Sequence, residues 1–285
     1  MGRIGITTDC VCDLPAEFLR AHGVDVMYFY IITDAGRFRD GYAITSANIL
    51  EYLEEGGAKA ETHAPSSEEY KGFFEKRLAQ YDELIHISIS GQIGVSYQNA
   101  SGALALMGEN SKRVRVIDSE HLSTGMGHMV MKAVEMRDAG RPAAEIVEAV
   151  ERMRSKVSTT FITQNADYLH RNGRVGKGIT KLTELFMIHP VLVLKKGRIT
   201  VKAVRAGNYE KAVLRYVRGE LKRGGRINKN RLFITHAGCP IKMISQIREE
   251  VEKRCGFDGV IVTKASATVS SNCGPQTLGV IFVYD

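Results

Sequence analysis

LIHISISGQIGVSYQNASGALAL, residues 84–106, decides the fold of this chain. Apolar and polar side chains alternate over residues 85–90, which predicts a β-strand. Gly91 and Gly94 then supply the backbone freedom that a tight turn needs. Apolar residues recur at helical spacing from Tyr97 onward, so the strand leads through a glycine turn into a helix.

The turn within this stretch has two interpretations. The unpaired N–H groups at the start of the helix, together with its positive end, favour an anion-binding site, with Ser90 and Ser96 offering hydroxyls at the rim. An ordinary strand-to-helix turn made of small residues is also compatible with this sequence. The stretch alone leaves both interpretations open.

Length and composition are typical of a globular protein with one large or two ordinary domains. The 285 residues are 44% hydrophobic and 25% charged, and they contain no low-complexity tract. The first residues do not form a secretory signal pattern, and the longest apolar run, residues 185–194, is too short to span a bilayer. We therefore expect a soluble, cytoplasmic protein.

The cysteines do not have the spacing of a disulfide framework or a zinc site. There are five, an odd number, and no two form a C-x-x-C pair. Cys10 and Cys12 form a C-x-C pair in a loop after a strand, which is typical of unpaired thiols. We expect no metal, no redox chemistry and no cofactor.

Positive charge is concentrated in one segment. The chain carries a net charge of +7, and residues 195–231 contain thirteen Lys or Arg against two Glu. Such a basic surface, Lys195 to Arg231, favours an acidic partner protein or a transient contact with a membrane surface. A solvated basic helix explains the same segment. Nucleic acid is not expected, because aromatic residues are sparse there and no nucleic-acid-binding motif is present.

Strands and helices alternate through the first half of the chain. Strands are predicted over residues 3–7, 24–32, 84–90 and 114–117, and helices begin at Pro15, at Thr45 or Ser46, at Ser66 and at Ser123. This alternation predicts a mainly parallel sheet with helices on both faces and a ligand at the carboxyl ends of the strands. The hydroxyl-bearing loops at Thr8, Thr62, Ser90 and Ser119 are expected to share that edge.

The second half reads differently. A helix begins at Arg141-Pro142 and extends to about Val157, where we place a domain boundary. Two strands flank Lys196-Gly197 in a hairpin pattern, which predicts a mixed sheet with helices. The sequence therefore predicts an α/β protein of two domains, residues 1–157 and 158–285.

Common catalytic motifs do not match. In residues 173–180 the lysine of a phosphate loop precedes the last glycine instead of following it, and no G-x-S-x-G elbow is present. Ser119 and His121 are neighbours in sequence, which does not orient them as a catalytic pair. We predict no catalytic residue.

Several short motifs, in order along nearly the whole chain, resemble the DegV family. They are Thr8-Asp9 with Leu14-Pro15, Thr62 with Pro65-Ser66, Ser90 with Tyr97-Gln98, Asp118-Ser119 with Ser123, Gly125 and Gly127, Tyr168-Leu169 with Gly173-Arg174-Val175, Pro190-Val191-Leu192 with Gly197, and Gly274-Pro275 with Thr277-Leu278-Gly279. The resemblance implies a bacterial carrier with a long-chain fatty acid buried between its two domains. A partner fatty acid kinase would phosphorylate the bound carboxylate, and the carrier would have no catalytic centre.

The resemblance and the polar loops together give the predicted ligand-binding residues. These are Thr62, Ser66, Ser90, Gly94, Val95, Ser96, Ser119, Arg174 and Asn272. Hydroxyl and N–H groups near Thr62 and the turn at 90–94 would hold the carboxylate, while Arg174 and Asn272 would come from the second domain.

The chain departs from the family pattern in the expected head-group site. Gly94-Val95 replaces a usual Ser-Gly, Asn272 replaces a usual His, and Gln276 replaces a usual Gly. Thr62-His63-Ala64 also differs from the common Thr-Ser-Gln. A lost charge-assisted hydrogen bond costs roughly 1.5–3 kcal/mol, so we expect a weakened or retuned head-group site.

Two alternative functions stay open. One is a divergent binding module for another amphipathic or anionic ligand, and the other is a hydrolase or phosphotransferase that uses Ser119 and His121.

Overall fold

The computed structural model describes residues 2–57, 60–164, 166–173, 176, 188–222 and 226–285. Its strands are β1 (Ile4–Asp9), β2 (Asp25–Met27), β3 (Tyr30–Thr33), β4 (Gly36–Arg39), β5 (Glu61–His63), β6 (Glu83–Ser88), β7 (Val114–Asp118), β8 (Val157–Ile162), β9 (Ile188–Lys195), β10 (Arg198–Ala206), β11 (Leu232–His236), β12 (Val260–Lys264) and β13 (Leu278–Val283). The described helices are α1 (Ala16–Ala21), α2 (Ser46–Glu54), α3 (Ser67–Leu78), α4 (Ser96–Leu106), α5 (Ser123–Asp138), α6 (Ala143–Met153), α7 (Asp167–Arg171), α8 (Tyr209–Leu221), α9 (Ile241–Cys255) and α10 (Ala267–Cys273).

The strands form three sheets, and the α/β class is confirmed. A four-stranded parallel sheet has the order β2-β1-β6-β7, and a six-stranded mixed sheet has the order β10-β9-β8-β13-β11-β12. A small antiparallel sheet, β4-β3-β5, lies between α1 and α3 in the chain. The division into domains at residue 157 stays a prediction, although Val157 is the first residue of β8.

Helix α5 is the centre of the fold. It contacts β1 and β6 of the parallel sheet and β8, β11 and β13 of the mixed sheet. Helices α3 and α4 contact β6 from a separate core of aromatic and small side chains, and α8 and α9 pack against the mixed sheet. Burial of apolar surface on both sides of α5, at about 25 cal/mol per Å², joins the two sheets into one core.

Two glycines allow α5 to approach its neighbours. A Cβ atom at Gly125 would lie 2.0 Å from Oγ1 of Thr159, and a Cβ atom at Gly127 would lie 2.9 Å from the carbonyl oxygen of Cys12. The first contact is with the mixed sheet and the second is with the loop after β1. These glycines therefore set the distances between the two halves of the chain.

A matched pair of glycine substitutions tests this packing. Gly125→Ala is expected to lower the free energy of unfolding by about 2 kcal/mol, because the added methyl overlaps Thr159 in a full core. Gly72→Ala, in α3, has open space around its Cβ position and is expected to raise stability by about 0.5–1 kcal/mol through helix propensity. Urea unfolding of both variants measures the contrast, and equal effects would contradict it.

One predicted strand is wrong. Residues 24–32 form two strands in different sheets, because the backbone of Phe29 bonds elsewhere: its N–H donates to Sγ of Cys10 and its carbonyl accepts from the N–H of Asp40. The nearly continuous apolar run over residues 24–32 also predicts a strand buried on both faces. This prediction is wrong, because β2 is half-buried at the edge of the parallel sheet.

Other boundaries follow the sequence closely. The capping box of Ser66 with Glu69 opens α3. Lys196 and Gly197 both have positive φ and join β9 to β10 as a two-residue hairpin turn. Helix α6 ends at Met153, earlier than the predicted Val157, and a short 3₁₀ turn follows. No described helix has both the length and the apolar character needed to cross a membrane.

Candidate functional site

An apolar cavity lies beside the carboxyl ends of the parallel strands. The cavity has a volume of about 220 Å³. It is lined by Phe29, Thr62, Ala64, Ile89, Ile93, Gly94, Val95, Ser96, Leu122, Leu169, Ile199, Thr268, Val269, Asn272 and Cys273. Both halves of the chain contribute to this wall. The location is the point where β1 and β6 lie side by side and their chain connections lead to opposite sides, which is where α/β sheets commonly bind ligands.

The polar groups of the cavity are few. Thr62 in β5 and Asn272 in α10 both line it, with the Asn272 amide donating to Oγ1 of Thr62 at 3.4 Å. The other polar lining residues are Thr268 in α10 and Ser96, the first residue of α4. Val95 in this turn is 58% exposed, so the cavity opens to solvent beside it.

The start of α4 has unpaired backbone donors. Val95 stands at the N-cap position and no side chain of the described residues caps the helix there. The first N–H groups of a helix have no partner within it and carry a partial positive charge. An anion beside Val95 would be favoured by both effects.

Behind this turn a buried aspartate organises the wall. Asp9 at the end of β1 accepts hydrogen bonds from the hydroxyls of Tyr70 (2.5 Å), Ser88 (2.7 Å) and Ser96 (2.9 Å), and from the N–H of Ile89 (2.9 Å). His86 places Nε2 3.4 Å from the same carboxylate. Burial opposes ionisation, but the hydrogen bonding and charge of His86 and the other donors hold the pKa of Asp9 below its ordinary value.

This network decides what Ser96 can do. Its hydroxyl donates to Asp9, so in this arrangement Ser96 presents oxygen lone pairs, and its proton is not directed at the cavity. The backbone N–H groups at the uncapped start of α4 remain as donors there, whereas the N–H of Gly94 already donates to the carbonyl oxygen of Ser90 at 3.4 Å.

Helix α10, which carries Asn272, is held by the first half of the chain. Asp40 accepts from the N–H groups of Ala267 (2.9 Å) and Thr268 (2.8 Å). Asp13 accepts from the N–H of Ser266 at 2.8 Å and from the hydroxyl of Ser123 at 2.5 Å. These two carboxylates, both buried, fix the first turn of α10 and thereby position one wall of the cavity.

The carboxyl of Asp13 gives stability a measurable pH dependence. Burial raises its pKa to about 7 from an ordinary 3.8, so between these values the folded chain binds more protons than the unfolded chain. The stability contributed by Asp13 is therefore complete below about pH 4 and is lost as the pH rises toward 7.

We expect Asp13→Asn to remove this pH dependence. Between about pH 5 and pH 7 the free energy of unfolding of the variant should fall less, or rise more, than that of the parent chain, because other groups titrate equally in both. Urea unfolding at several pH values measures the difference, and parallel curves for the two proteins would show that Asp13 does not titrate in this range.

Five of the predicted residues line the cavity: Thr62, Gly94, Val95, Ser96 and Asn272. Their contact with a ligand stays a prediction. Thr62 comes from a strand and Asn272 from a helix far away in sequence, and both line the cavity.

The other predicted residues lie elsewhere. Ser66 caps α3, Ser90 donates to the carbonyl of Gly197 at 2.8 Å, and Ser119 donates to the carbonyl of His121 at 3.0 Å. Arg174 lies outside the described residues. The apolar lining, from Phe29 to Cys273, was not predicted; the buried apolar runs show that these residues are inside, but not that they face a cavity.

Ser119 and His121 are not arranged as a catalytic pair. The imidazole of His121 lies 2.8 Å from the hydroxyl of Thr159 and 2.9 Å from the carbonyl of Arg154, away from the Ser119 hydroxyl. Burial lowers the pKa of His121 to about 4, so the ring is neutral near pH 7. Within the described part of the chain, no group of His, Cys, Asp or Glu is arranged to hold a metal ion.

The fold and the cavity define an α/β protein in which residues of both halves enclose an apolar space beside a parallel sheet. A family model described as "Uncharacterised protein, DegV family" matches residues 3–285. The chain belongs to the DegV family.

Similar proteins cover almost the whole chain. A DegV domain-containing protein of Deinococcus radiodurans is 27% identical, with 97% of each chain covered. The structure of a DegV family protein from Thermus thermophilus, described by its fatty acid binding, superposes with a TM-score of 0.87 at 27% identity and covers 99% of this chain and 100% of that one. A DegV family protein from Eubacterium eligens loaded with heptadecanoic acid has the same fold, with a TM-score of 0.86, 21% identity and coverage of 99% and 100%.

Proposed function

We propose that this protein binds a long-chain fatty acid in the apolar cavity and presents the carboxylate to a partner kinase. The observation that carries the proposal is a mainly apolar cavity with few polar groups, whose lining includes the uncapped start of α4. The fatty acid binding of the Thermus thermophilus relative supports it. The protein would act as a carrier, without a catalytic centre of its own.

The acyl tail would lie among the apolar side chains between the two sheets. A second, smaller cavity of about 30 Å³ shares Leu122, Val269 and Cys273 with the first, and it is lined further by Phe161 and Ile281. Each buried methylene would contribute about 0.8 kcal/mol. A tail that enters from the first cavity would therefore gain most of its binding energy by displacing solvent from these walls.

The carboxylate would lie beside the polar lining residues. A head group placed between Thr62 and Asn272 would take the place of their long 3.4 Å contact and accept a hydrogen bond from each. The backbone N–H groups near Val95 would complete its contacts. Gly94 offers no hydroxyl, and Ser96 donates to Asp9, so this head-group site relies on fewer side-chain donors than the family pattern.

The exposed mouth is where a partner would reach the carboxylate. The predicted docking surface, Lys195 to Arg231, is partly engaged: Lys202 pairs with Glu220 at 2.6 Å, and Arg218 pairs with Glu250 at 2.9 Å. The hairpin tip lies nearer, since Arg198 donates to the Gln92 side chain at 3.0 Å, in the loop that leads to Val95. We propose that the positively charged side chains at this hairpin tip contact an acidic face of the kinase.

Titration with palmitate and with methyl palmitate tests the head-group assignment. Thr62→Val and Asn272→Leu are each expected to weaken palmitate binding about ten-fold, because each removes one hydrogen bond to a charged group, worth roughly 1.5 kcal/mol. Binding of the neutral methyl ester should change much less. Asn110→Leu, an exposed change outside the cavity, serves as the control.

The same titration distinguishes a fatty acid from the alternative ligand. Palmitate binding that is insensitive to both substitutions would place the head group elsewhere. Stronger binding of methyl palmitate than of palmitate would favour a divergent module for a neutral amphipathic ligand. This is the second candidate function, because the Ser96 hydroxyl donates to Asp9 and is not available to a carboxylate.

A further inference from the structure

A large groove lies away from the fatty-acid cavity, at the other end of α5 and β13. The residues after Leu122 begin α5 beside the ligand cavities, whereas the groove, about 680 Å³, is lined by α5 residues 128–136, by the end of α6 and by residues 283–285. The groove and the ligand cavity share no lining residue. It is called the α5–β13 groove below.

The floor of the α5–β13 groove is apolar and adaptable. Met136, Ala149, Met153 and Val283 line it, and all four are half-buried. The three larger side chains pack on their inner sides against the central core. Two methionines in one floor favour a surface that fits an apolar partner side chain, because the unbranched thioether adjusts its shape.

The charge around this floor is positive. Lys132 and Lys156 line the groove and form no ion pair with any residue that the structure describes. The two acidic lining residues are already compensated, Glu135 by Arg231 and Asp285 by Arg226. An apolar floor with unpaired lysines at its edge complements a segment that is apolar on one face and acidic at its borders.

We propose that the α5–β13 groove docks an acidic amphipathic helix of a partner protein. The face of α5 from His128 to Met136 is about 12 Å long at 1.5 Å per residue, which matches two helical turns. Apolar side chains at i and i+4 of the partner helix would contact the methionines, and its carboxylates would pair with Lys132 and Lys156. This surface is separate from the mouth at Val95, so the proposal does not depend on the fatty acid.

Selection of random 16-residue peptides displayed on phage, with the full-length protein as target, tests this proposal without a known partner. We expect enriched peptides with apolar residues at i and i+4 flanked by Asp or Glu. Synthetic copies should bind Lys132→Glu/Lys156→Glu at least ten-fold more weakly than the parent and should weaken in 0.5 M salt.

Two further variants keep the test decisive. Lys76→Glu/Lys242→Glu makes the same charge change at exposed positions outside the groove and should leave peptide binding unchanged. Met136→Gln should weaken peptide binding by making the floor of the groove less apolar, without a change of charge. An unchanged melting temperature for each variant establishes that the fold is intact. Peptides without acidic bias, or with equal affinity for parent and groove variants, would overturn the proposal.

Discussion

Asp40→Ala is expected to lower the free energy of unfolding by about 3 kcal/mol and to weaken fatty acid binding. The buried carboxylate accepts hydrogen bonds from the N–H groups of Ala267 and Thr268. Its removal leaves these two buried donors without a partner. Each orphaned donor costs about 1–3 kcal/mol. Relief of the buried charge offsets part of this cost, since burial raises the pKa of Asp40.

The effect should extend to the ligand because α10 is part of the cavity wall. Thr268, Val269, Asn272 and Cys273 all lie on this helix. Without Asp40, its first turn keeps the hydrogen bonds of Ser266 with Asp13 and Val269 but loses those of Ala267 and Thr268. We therefore expect a loss of palmitate affinity as well as of stability.

Urea unfolding and palmitate titration measure the two effects. Asp40→Asn keeps one acceptor and is expected to lose about half as much stability as Asp40→Ala. Asp258→Ala, an exposed change, is the control and should lie within about 0.5 kcal/mol of the parent. An Asp40→Ala variant as stable as the control would show that α10 does not depend on this carboxylate.

Ala64→Phe is expected to weaken palmitate binding about fifty-fold while the chain stays folded. Ala64 is half-buried at the cavity wall, so a phenyl ring there can extend into the empty space. If the ring displaces three methylenes of the tail, the loss is about 2.4 kcal/mol at 0.8 kcal/mol each.

The matched control is Ala139→Phe, which adds the same ring at an exposed position after α5. Titration with palmitate should separate the two variants, and thermal unfolding should show both folded. Parent-like binding by folded Ala64→Phe would place the ligand outside this cavity.

Local signals in the sequence predicted the elements that depend on neighbours in the chain. Ser66 and Glu69 are three residues apart and mark the start of α3, and Lys196-Gly197 marks the hairpin turn. The parallel sheet followed from the regular alternation of strands and helices. The capping box and the hairpin turn are each determined within a few neighbouring residues, and the parallel sheet by the order of elements along the chain.

Helix α10 could not be predicted in this way. Its first turn is capped by Asp40, 227 residues before Ala267, and only the tertiary fold brings the two together. Ser266, which accepts from the N–H of Val269, was the one local signal. Similarly, the division of residues 24–32 depends on Cys10 and Asp40, which bond to Phe29.

The candidate site was predicted through its polar residues and not through its shape. Thr62 and Asn272 were identified by resemblance, and both line one cavity, where their side chains lie 3.4 Å apart. Ser90 and Ser119 were chosen because hydroxyls near strand ends suggest a rim, but both hydroxyls bond to nearby carbonyls. Sequence spacing does not reveal which hydroxyl groups already donate hydrogen bonds within the fold.

Native mass spectrometry of the purified protein, followed by organic extraction, tests the central claim most directly. We predict an adduct with the mass of a long-chain fatty acid at close to one per chain, and its loss in Ala64→Phe but not in Ala139→Phe. A protein that carries no such adduct, and takes up none when titrated with palmitate, would contradict the proposed function.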